Sequence, residues 1–411
     1  MSEILFISHR IPFPPDRGDK IRSHHIVKRL ARIAPVHVAT FADDELDMAE
    51  EVELASLARS YKLVRRAKAL VFAGVQALAA RQPVSLTAFY DVGLAAYITQ
   101  VLASRPISTI YVFSGQMGQY VPKDFSGRVV ADFVDVDSAK FEAYAAKRHP
   151  ALRWIELREA RMLRDEEARL AMRADVSLLI SSAEADLFKA RLSAKETALS
   201  DVRVLGNGID TALFDPAAVE AEPQLAEFPY PRLIFSGQMD YAPNVAAALR
   251  VVDRILPLIR QSFPDASFHV VGRHPTSELL VHDGEAGCHV WGRVNDMRCW
   301  LKGADMAIVP LEIARGVQNK VLEAMAMALP LVLTPGAATG IGAIDGQHFS
   351  VATSDEDLAV AAVGLLRDPR QAKICGLAAR RFAVENASWQ AALDQLPEIV
   401  GWPGRSTRNA A

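Results

Sequence analysis

The sequence predicts an α/β protein of two similar halves, each built on a doubly wound parallel sheet. Three observations lead there. Short apolar runs recur through both halves, and most are continuous rather than alternating, the pattern of strands buried on both faces. Helical periodicity fills many of the gaps between them. Near the middle, the stretch DPAAVEAEPQLAEFPYP is rich in proline and acid and has no hydrophobic period, which marks a boundary.

The predicted strands of the first half are ILFIS from Ile4, VHVAT from Val36, IYVFS from Ile110, VVADF from Val129, VSLLIS from Val176 and VRVL from Val202. Those of the second are RLIFS from Arg232, SFHVVG from Ser267, HVWG from His289, MAIVP from Met306, PLVLT from Pro330 and FSV from Phe349. Helical patterns include His24 to Ile33, Val245 to Arg260 and Val321 to Met327. The charged run Arg153 to Arg173 reads as a solvated helix with i,i+4 pairs such as Arg161–Asp165 and Asp165–Arg169. These elements divide the chain into an N-terminal domain, 1–206, a linker, 207–230, and a second domain, 231–386. A C-terminal helix, 387–403, is expected to dock back on the first domain, and 404–411 to be disordered.

Composition narrows the function. The 411 residues are 50% hydrophobic and 23% charged, which excludes global disorder. A net charge of −3 argues against a nucleic-acid partner. Three cysteines without metal spacing fit free thiols in a reducing, cytoplasmic setting. The N-terminus does not resemble a signal peptide. The longest apolar run, Ala69 to Ala80, is broken by Gln76 and falls short of the ~18 residues that span a bilayer.

Ligands of open parallel sheets bind at the carboxyl ends of strands, so the loops there carry the candidates. After the first strand, SHRIPFPPDRGDKIRSHH brings Arg17, Lys20, Arg22, His24 and His25 to a helix start beside Gly18, an anion-binding pattern or a solvated basic loop. VVADFVDVDSAKFEAY carries Asp132, Asp135, Asp137 and Ser138, suited to metal ligation, base catalysis or sugar hydroxyls. A calcium loop fails for want of its glycine, and Asp137 or Ser138 is a candidate helix cap. SSAEAD from Ser181 is a capping signature, and Gly206 to Asp210 a turn. In FSGQMDYAPN, Ser236 and Gly237 let backbone approach a ligand, and Asn244 can cap the next helix. In PLEIARGVQNKVLEAMAM, a helix beginning near Gly316 places Asn319, Lys320 and Glu323 on one face. There a pyrophosphate suits Lys320 and the helix start, and a ribose diol suits Glu323; a plain Lys320–Glu323 surface pair is the alternative.

LEAMAMALPLVLT resembles the L-E-A-M-A-x-G-x-P-V-V signature of retaining glycosyltransferases of family 4, the group 1 sugar transferases with the GT-B fold. VLGNGIDTALFDP, FSGQMDYAPN, IVPLEIARG and SSAEAD extend the likeness over nearly the whole chain. HRIPFPPDRGDKIRS and GVQNKVLEAMAM are similar to the bacterial subgroup associated with PEP-CTERM/exosortase exopolysaccharide systems. The resemblance implies two Rossmann-like domains facing a cleft that closes around the linker. It also implies retaining, metal-independent hexosyl transfer from a UDP- or GDP-sugar to a glycan or lipid-linked acceptor in cell-surface polysaccharide synthesis.

By the same resemblance Glu323 holds the nucleotide ribose. Gly316, Val317, Gln318 and Asn319 lie by the diphosphate, and Gly18 lies beside the donor phosphates. Arg315 stands where the family has its first glutamate, eight positions before Glu323. Gln238 and the Pro243–Asn244 region stand where it has arginine and lysine, and Ala328 replaces a glycine. Lys320, with Arg315 and Arg17, is therefore expected to meet the phosphate charge, with Gly237 beside the donor. The family's first-domain histidine has no clear counterpart. Asp135 occupies that neighbourhood as a catalytic candidate, with Asp137, His24 and Lys20 on the acceptor side. Two other readings stay open: a non-catalytic nucleotide-sugar-binding subunit and a sugar-nucleotide 2-epimerase. YKLVRRAKALVFAGVQALAARQP sets Lys62, Arg65, Arg66 and Lys68 beside an apolar helix. It reads either as peripheral contact with the inner face of the membrane or as a core helix with snorkelling bases.

Overall fold

A computed structural model describes residues 2–66, 70–147, 150–312 and 317–402. The chain divides into two compact units: one runs to Gly206 and resumes at Leu393, and the other is Asn207–Ala392.

The first unit holds seven parallel strands: β1 (Glu3–Ser8), β2 (Val36–Ala42), β3 (Ser60–Arg65), β4 (Ile107–Phe113), β5 (Arg128–Val134), β6 (Val176–Leu179) and β7 (Val202–Val204). Their order is β3-β2-β1-β4-β5-β6-β7. The second holds β8 (Arg232–Ser236), β9 (Ser267–Val271), β10 (Cys288–Gly292), β11 (Met306–Val309), β12 (Leu331–Leu333) and β13 (Ser350–Val351), ordered β10-β9-β8-β11-β12-β13. Every pairing is parallel, so both sheets are doubly wound. The chain turns from one half of the sheet to the other between β1 and β4, and again between β8 and β11. Those two places are the switch points where such folds open a crevice for ligand.

The continuous apolar runs form the sheet centres because helices cover both faces. Ile4 to Ile7 are wholly buried, and Phe6 stacks on Tyr111 at 5.6 Å. The acidic stretch 207–230 belongs to the second unit, where Leu225 is buried beside Gly303 and the Glu222 amide donates to the Cys299 carbonyl. Residues 393–402 pack on the first unit: the Val400 carbonyl accepts from Thr109, and the Ile399 carbonyl from Arg128. The expected disordered tail, 404–411, lies outside the described residues.

Strand β3 departs from expectation. SYKLVR is an edge strand in which Lys62 and Arg65 are exposed and the other residues half-buried, so these two cations sit on a sheet edge. Charged edges discourage pairing with other chains. Arg65 pairs with Glu45 at 2.5 Å and Arg66 with Asp43 at 2.8 Å; Lys68 lies outside the described residues. The helix that follows, Leu70–Ala80, buries Ala73 and Ala77 and exposes Phe72, Val75 and Leu78.

The charged helix is also more than a solvated surface. It spans Pro150–Arg173, and among the described residues the pairs Arg161–Asp165 and Asp165–Arg169 do not form. Arg169 bonds Glu166 instead. Two of its acids turn inward as acceptors for other helix starts: Glu159 takes the Val84 and Ser85 amides, and Glu167 takes the Ser138 amide and hydroxyl. Ser138 is thereby a donor to Glu167, not the cap of its own helix.

Arg22, Asp132 and Tyr111 tie the first sheet to its first helix. The Arg22 guanidinium reaches both Asp132 oxygens at about 3.1 Å, and Tyr111 donates to Asp132 at 2.8 Å. All three side chains are fully buried. Burial pushes the Asp132 carboxyl up, with Arg22 and Tyr111 opposing that shift. Removing one partner of a buried ion pair strands the other charge, at about 3–5 kcal/mol. Arg22→Ala should therefore cost about that much in urea unfolding, and a loss under 1 kcal/mol would remove this pair from the framework.

Candidate functional site

The second unit's switch point gathers the strongest set of polar groups. Two loops meet there, one after β8 and one after β11. After β8 the chain turns at Gly237, whose φ of +156° suits glycine. A Cβ on Gly237 would come within 2.8 Å of the Asn244 amide nitrogen and 3.3 Å of the Lys320 ammonium. The turn is held from behind by a second glycine that sequence reasoning did not single out. A Cβ on Gly272, just past β9, would sit 1.6 Å from the Gly237 carbonyl oxygen. Gly272→Ala should displace the Gly237 turn, costing about 1–3 kcal/mol. We expect a lower Tm together with weaker nucleotide binding; wild-type values for both would contradict the packing argument.

After β11 comes the helix Asn319–Ala326, which starts later than Gly316 and has no side-chain cap at Gln318. The Val321 and Leu322 amides bond the Gln318 carbonyl, and among the described residues the Asn319 and Lys320 amides have no partner, the arrangement of a helix start that can meet an anion. Lys320 turns from this helix toward the β8 loop. Its ammonium donates to Asn244 Oδ1 at 2.5 Å and lies 4.8 Å from the centre of the Phe235 ring. Asn244 in turn donates to the Gln238 carbonyl at 2.9 Å. Asn244 thus lies inside the helix Ala242–Arg250 and braces lysine against the loop, rather than capping the helix. Val317 packs near Gly340, while Asn319 is exposed.

Glu323 is partly buried one turn beyond Lys320. Among the described residues its carboxylate forms no hydrogen bond and no ion pair within 4 Å, so the expected surface pair with Lys320 is not made. Burial raises its carboxyl to about 7, with Lys320 offsetting part of the shift. Burial lowers the Lys320 ammonium to about 8, with Glu323 opposing. A partly buried carboxyl and ammonium with shifted titration and few partners of their own make this the candidate site. A separate cavity of about 250 Å³ opens between the helix Ala242–Arg250 and Pro310, with neither Lys320 nor Glu323 in its lining. Arg315 and Gly316 lie outside the described residues.

In the first unit the candidates scatter. The helix after β1 starts at Gly18, and a Cβ there would meet nothing within 4 Å. Lys20 is buried, ion-paired with Asp47, and donates to the Phe13 carbonyl. His24 is buried against Phe13, its Nδ1 3.2 Å from the Pro12 carbonyl. Both therefore brace the proline-rich loop. Arg17 remains 42% exposed, 3.6 Å from Asp43 and 3.7 Å from Asp47. Asp135 and Asp137 share Lys140, at 2.8 and 3.1 Å. Among the described residues no group of three potential metal ligands is found, and no helix is long and apolar enough to cross a membrane.

Residues 230–368, the stretch containing this site, match the family model described as Glycosyl transferases group 1. A GDP-mannose-dependent alpha-(1-6)-phosphatidylinositol monomannoside mannosyltransferase of Mycolicibacterium smegmatis is 29% identical over 168 residues. That alignment covers 36% of this chain and 42% of the relative. Among solved structures, HepE of Anabaena in complex with UDP and glucose aligns with a TM-score of 0.59 at 15% identity, covering 97% of this chain and 99% of that one. A sucrose-phosphate synthase of Thermosynechococcus elongatus gives 0.61 at 16% identity, over 97% and 98%. The fold is thus that of the GT-B glycosyltransferases, two Rossmann-like units with seven and six parallel strands.

Proposed function

We propose that this protein is a group 1 glycosyltransferase that moves a sugar from a UDP- or GDP-sugar to a glycan or lipid-linked acceptor. One observation carries the reading: Lys320, braced by Asn244 over Phe235, and the unpartnered Glu323 stand together at the switch point beside Gly237. The group 1 match over residues 230–368 and the UDP complexes of the HepE fold relative support it. The M. smegmatis relative's name supports a guanine donor equally.

Transfer breaks the bond between the sugar's anomeric carbon and the diphosphate, so negative charge grows on the departing oxygen. A fixed ammonium and helix-start amides stabilise that charge without reorganising. Lys320 supplies the first and the start of the helix Asn319–Ala326 the second. Glu323 accepts hydrogen bonds from the ribose diol. We further propose retention of configuration, no need for a metal, and a role in exopolysaccharide synthesis of the PEP-CTERM/exosortase type, each resting on the sequence resemblance. The outward Phe72, Val75 and Leu78 would suit peripheral membrane contact with a lipid-linked acceptor.

The test is a thermal-shift panel of UDP, GDP, UDP-glucose and GDP-mannose, followed by release of nucleotide diphosphate with and without added glycan acceptors. Binding raises apparent stability. Binding with acceptor-dependent release supports the reading. Binding without release at any acceptor points to a nucleotide-sugar-binding subunit, and altered sugar nucleotide without acceptor points to an epimerase.

A further inference from the structure

In the second sheet β8 lies between β9 and β11, so the turn after β8 has a neighbouring loop on each side. Backbone bonds lace it to the loop after β9. The Gly237 amide donates to the Val271 carbonyl at 3.1 Å, and the Met239 amide to the Arg273 carbonyl at 2.9 Å. Gln238 sits between those two bonds, and among the described residues its own amide has no partner. Gly272 closes the joint against the Gly237 carbonyl, and Arg273 follows it.

Arg273 is exposed, and its guanidinium donates to the Gln238 side-chain carbonyl at 3.1 Å. Among the described residues no carboxylate pairs with it. Lys320 approaches the same turn from the β11 side, its ammonium 3.3 Å from where a Cβ on Gly237 would lie. Consecutive residues of one turn thus each abut a cation. Both cations are held in the same way, Lys320 by the Asn244 side-chain oxygen and Arg273 by that of Gln238. A neutral amide fixes a cation's direction without an ion pair, so its charge stays available to a ligand. Other arginines of this unit are held by carboxylates instead, Arg232 by Asp305 and Arg250 by Asp355. Two directed cations around an open backbone amide favour a ligand with several negative charges on neighbouring oxygens over a neutral sugar. A diphosphate is such a ligand.

We infer that Arg273 is a second diphosphate-binding residue, reaching a phosphate oxygen from the β9 side of the turn as Lys320 does from the β11 side. Gln238 is the positioning residue that aims its guanidinium. The inference rests on the nucleotide-sugar reading above and assigns part of the diphosphate charge to a loop which that reading leaves out.

Titration calorimetry of UDP and GDP into the full chain tests it, beside melting curves without ligand. Arg273→Gln removes the charge and should weaken binding of whichever nucleotide the wild type takes by about tenfold, the low end for losing a hydrogen bond to a charged group. Arg273→Glu sets a negative charge against the phosphates. It should lose about tenfold more, an excess that shrinks as added NaCl screens it. Because Arg273 is exposed, both variants should keep the wild-type Tm. Gln238→Ala frees the guanidinium and should cost about threefold alone but nothing further in the Arg273→Gln protein, the mark of one residue acting through another. Wild-type affinity in both Arg273 variants overturns the inference. So does an equal loss in the two at every salt concentration, which marks contact without charge. A loss of affinity that goes with a fall in Tm also overturns it, since it marks a loop brace. An equal cost of Gln238→Ala with and without Arg273 removes its positioning role. A wild-type chain that binds neither nucleotide overturns the nucleotide-sugar reading itself, and this inference with it.

Discussion

Lys320→Met should reduce nucleotide diphosphate release by about 10²–10³-fold, the loss typical of removing one group that stabilises charge in the transition state. Methionine keeps the volume and apolar stem but loses the ammonium. In the resting protein that ammonium bonds Asn244 and lies over the face of Phe235, with the Glu323 carboxyl as its nearby opposite charge. Removing it takes away the charge that offsets the burial of Glu323, which pushes that carboxyl further up toward its neutral form, so the fold should survive with little change in Tm. Activity and stability thereby separate, and steady-state kinetics beside a melting curve reads both. A Lys320→Met protein with wild-type turnover would take Lys320 out of the diphosphate site.

The second large effect concerns Glu323. Glu323→Ala should weaken UDP or GDP binding by about 10- to 100-fold, the range for losing hydrogen bonds to a charged group. The unliganded fold should not suffer. Glu323 has no bond to give up, and its carboxyl lies at about 7 against an ordinary 4.5 because it is buried. Such a raised carboxyl costs nothing below about pH 4.5, where it is neutral in both states. Its cost accrues between 4.5 and about 7 and stays level above. Glu323→Gln should therefore gain stability relative to wild type as pH rises through that window. Binding needs the opposite charge state. Nucleotide affinity should rise through pH 7 as Glu323 ionises and fall above about 8 as Lys320 loses its proton. Titration calorimetry across that range checks it, and a flat profile would separate these two groups from binding.

Much of this was legible in the sequence because parallel strands buried on both faces leave continuous apolar runs. RLIFS and VVADF are examples. β3 was not, since an edge strand carries charges on its open side and SYKLVR looks like a basic surface segment. Residue type showed the cations after β1 but not their direction. With the helix starting at Gly18, Lys20, His24 and Val27 share its buried side, and Lys20 and His24 end in the core. Glu323 was singled out through its motif. Its neighbours were harder. Asn244 meets Lys320 across 76 positions, and Gly272 is glycine because of a carbonyl in the turn after another strand, β8. Neither leaves a local trace. Arg273 follows β9 in a stretch without a motif, and only the structure carries it to Gln238.

The most direct test of the whole account is calorimetric titration of UDP and GDP into the full chain, wild type beside Glu323→Ala. The account requires one nucleotide bound per wild-type chain, for at least one of the two bases, and at least tenfold weaker binding in the variant. Equal affinity in the two proteins, or no binding of either nucleotide to the wild type, would contradict it.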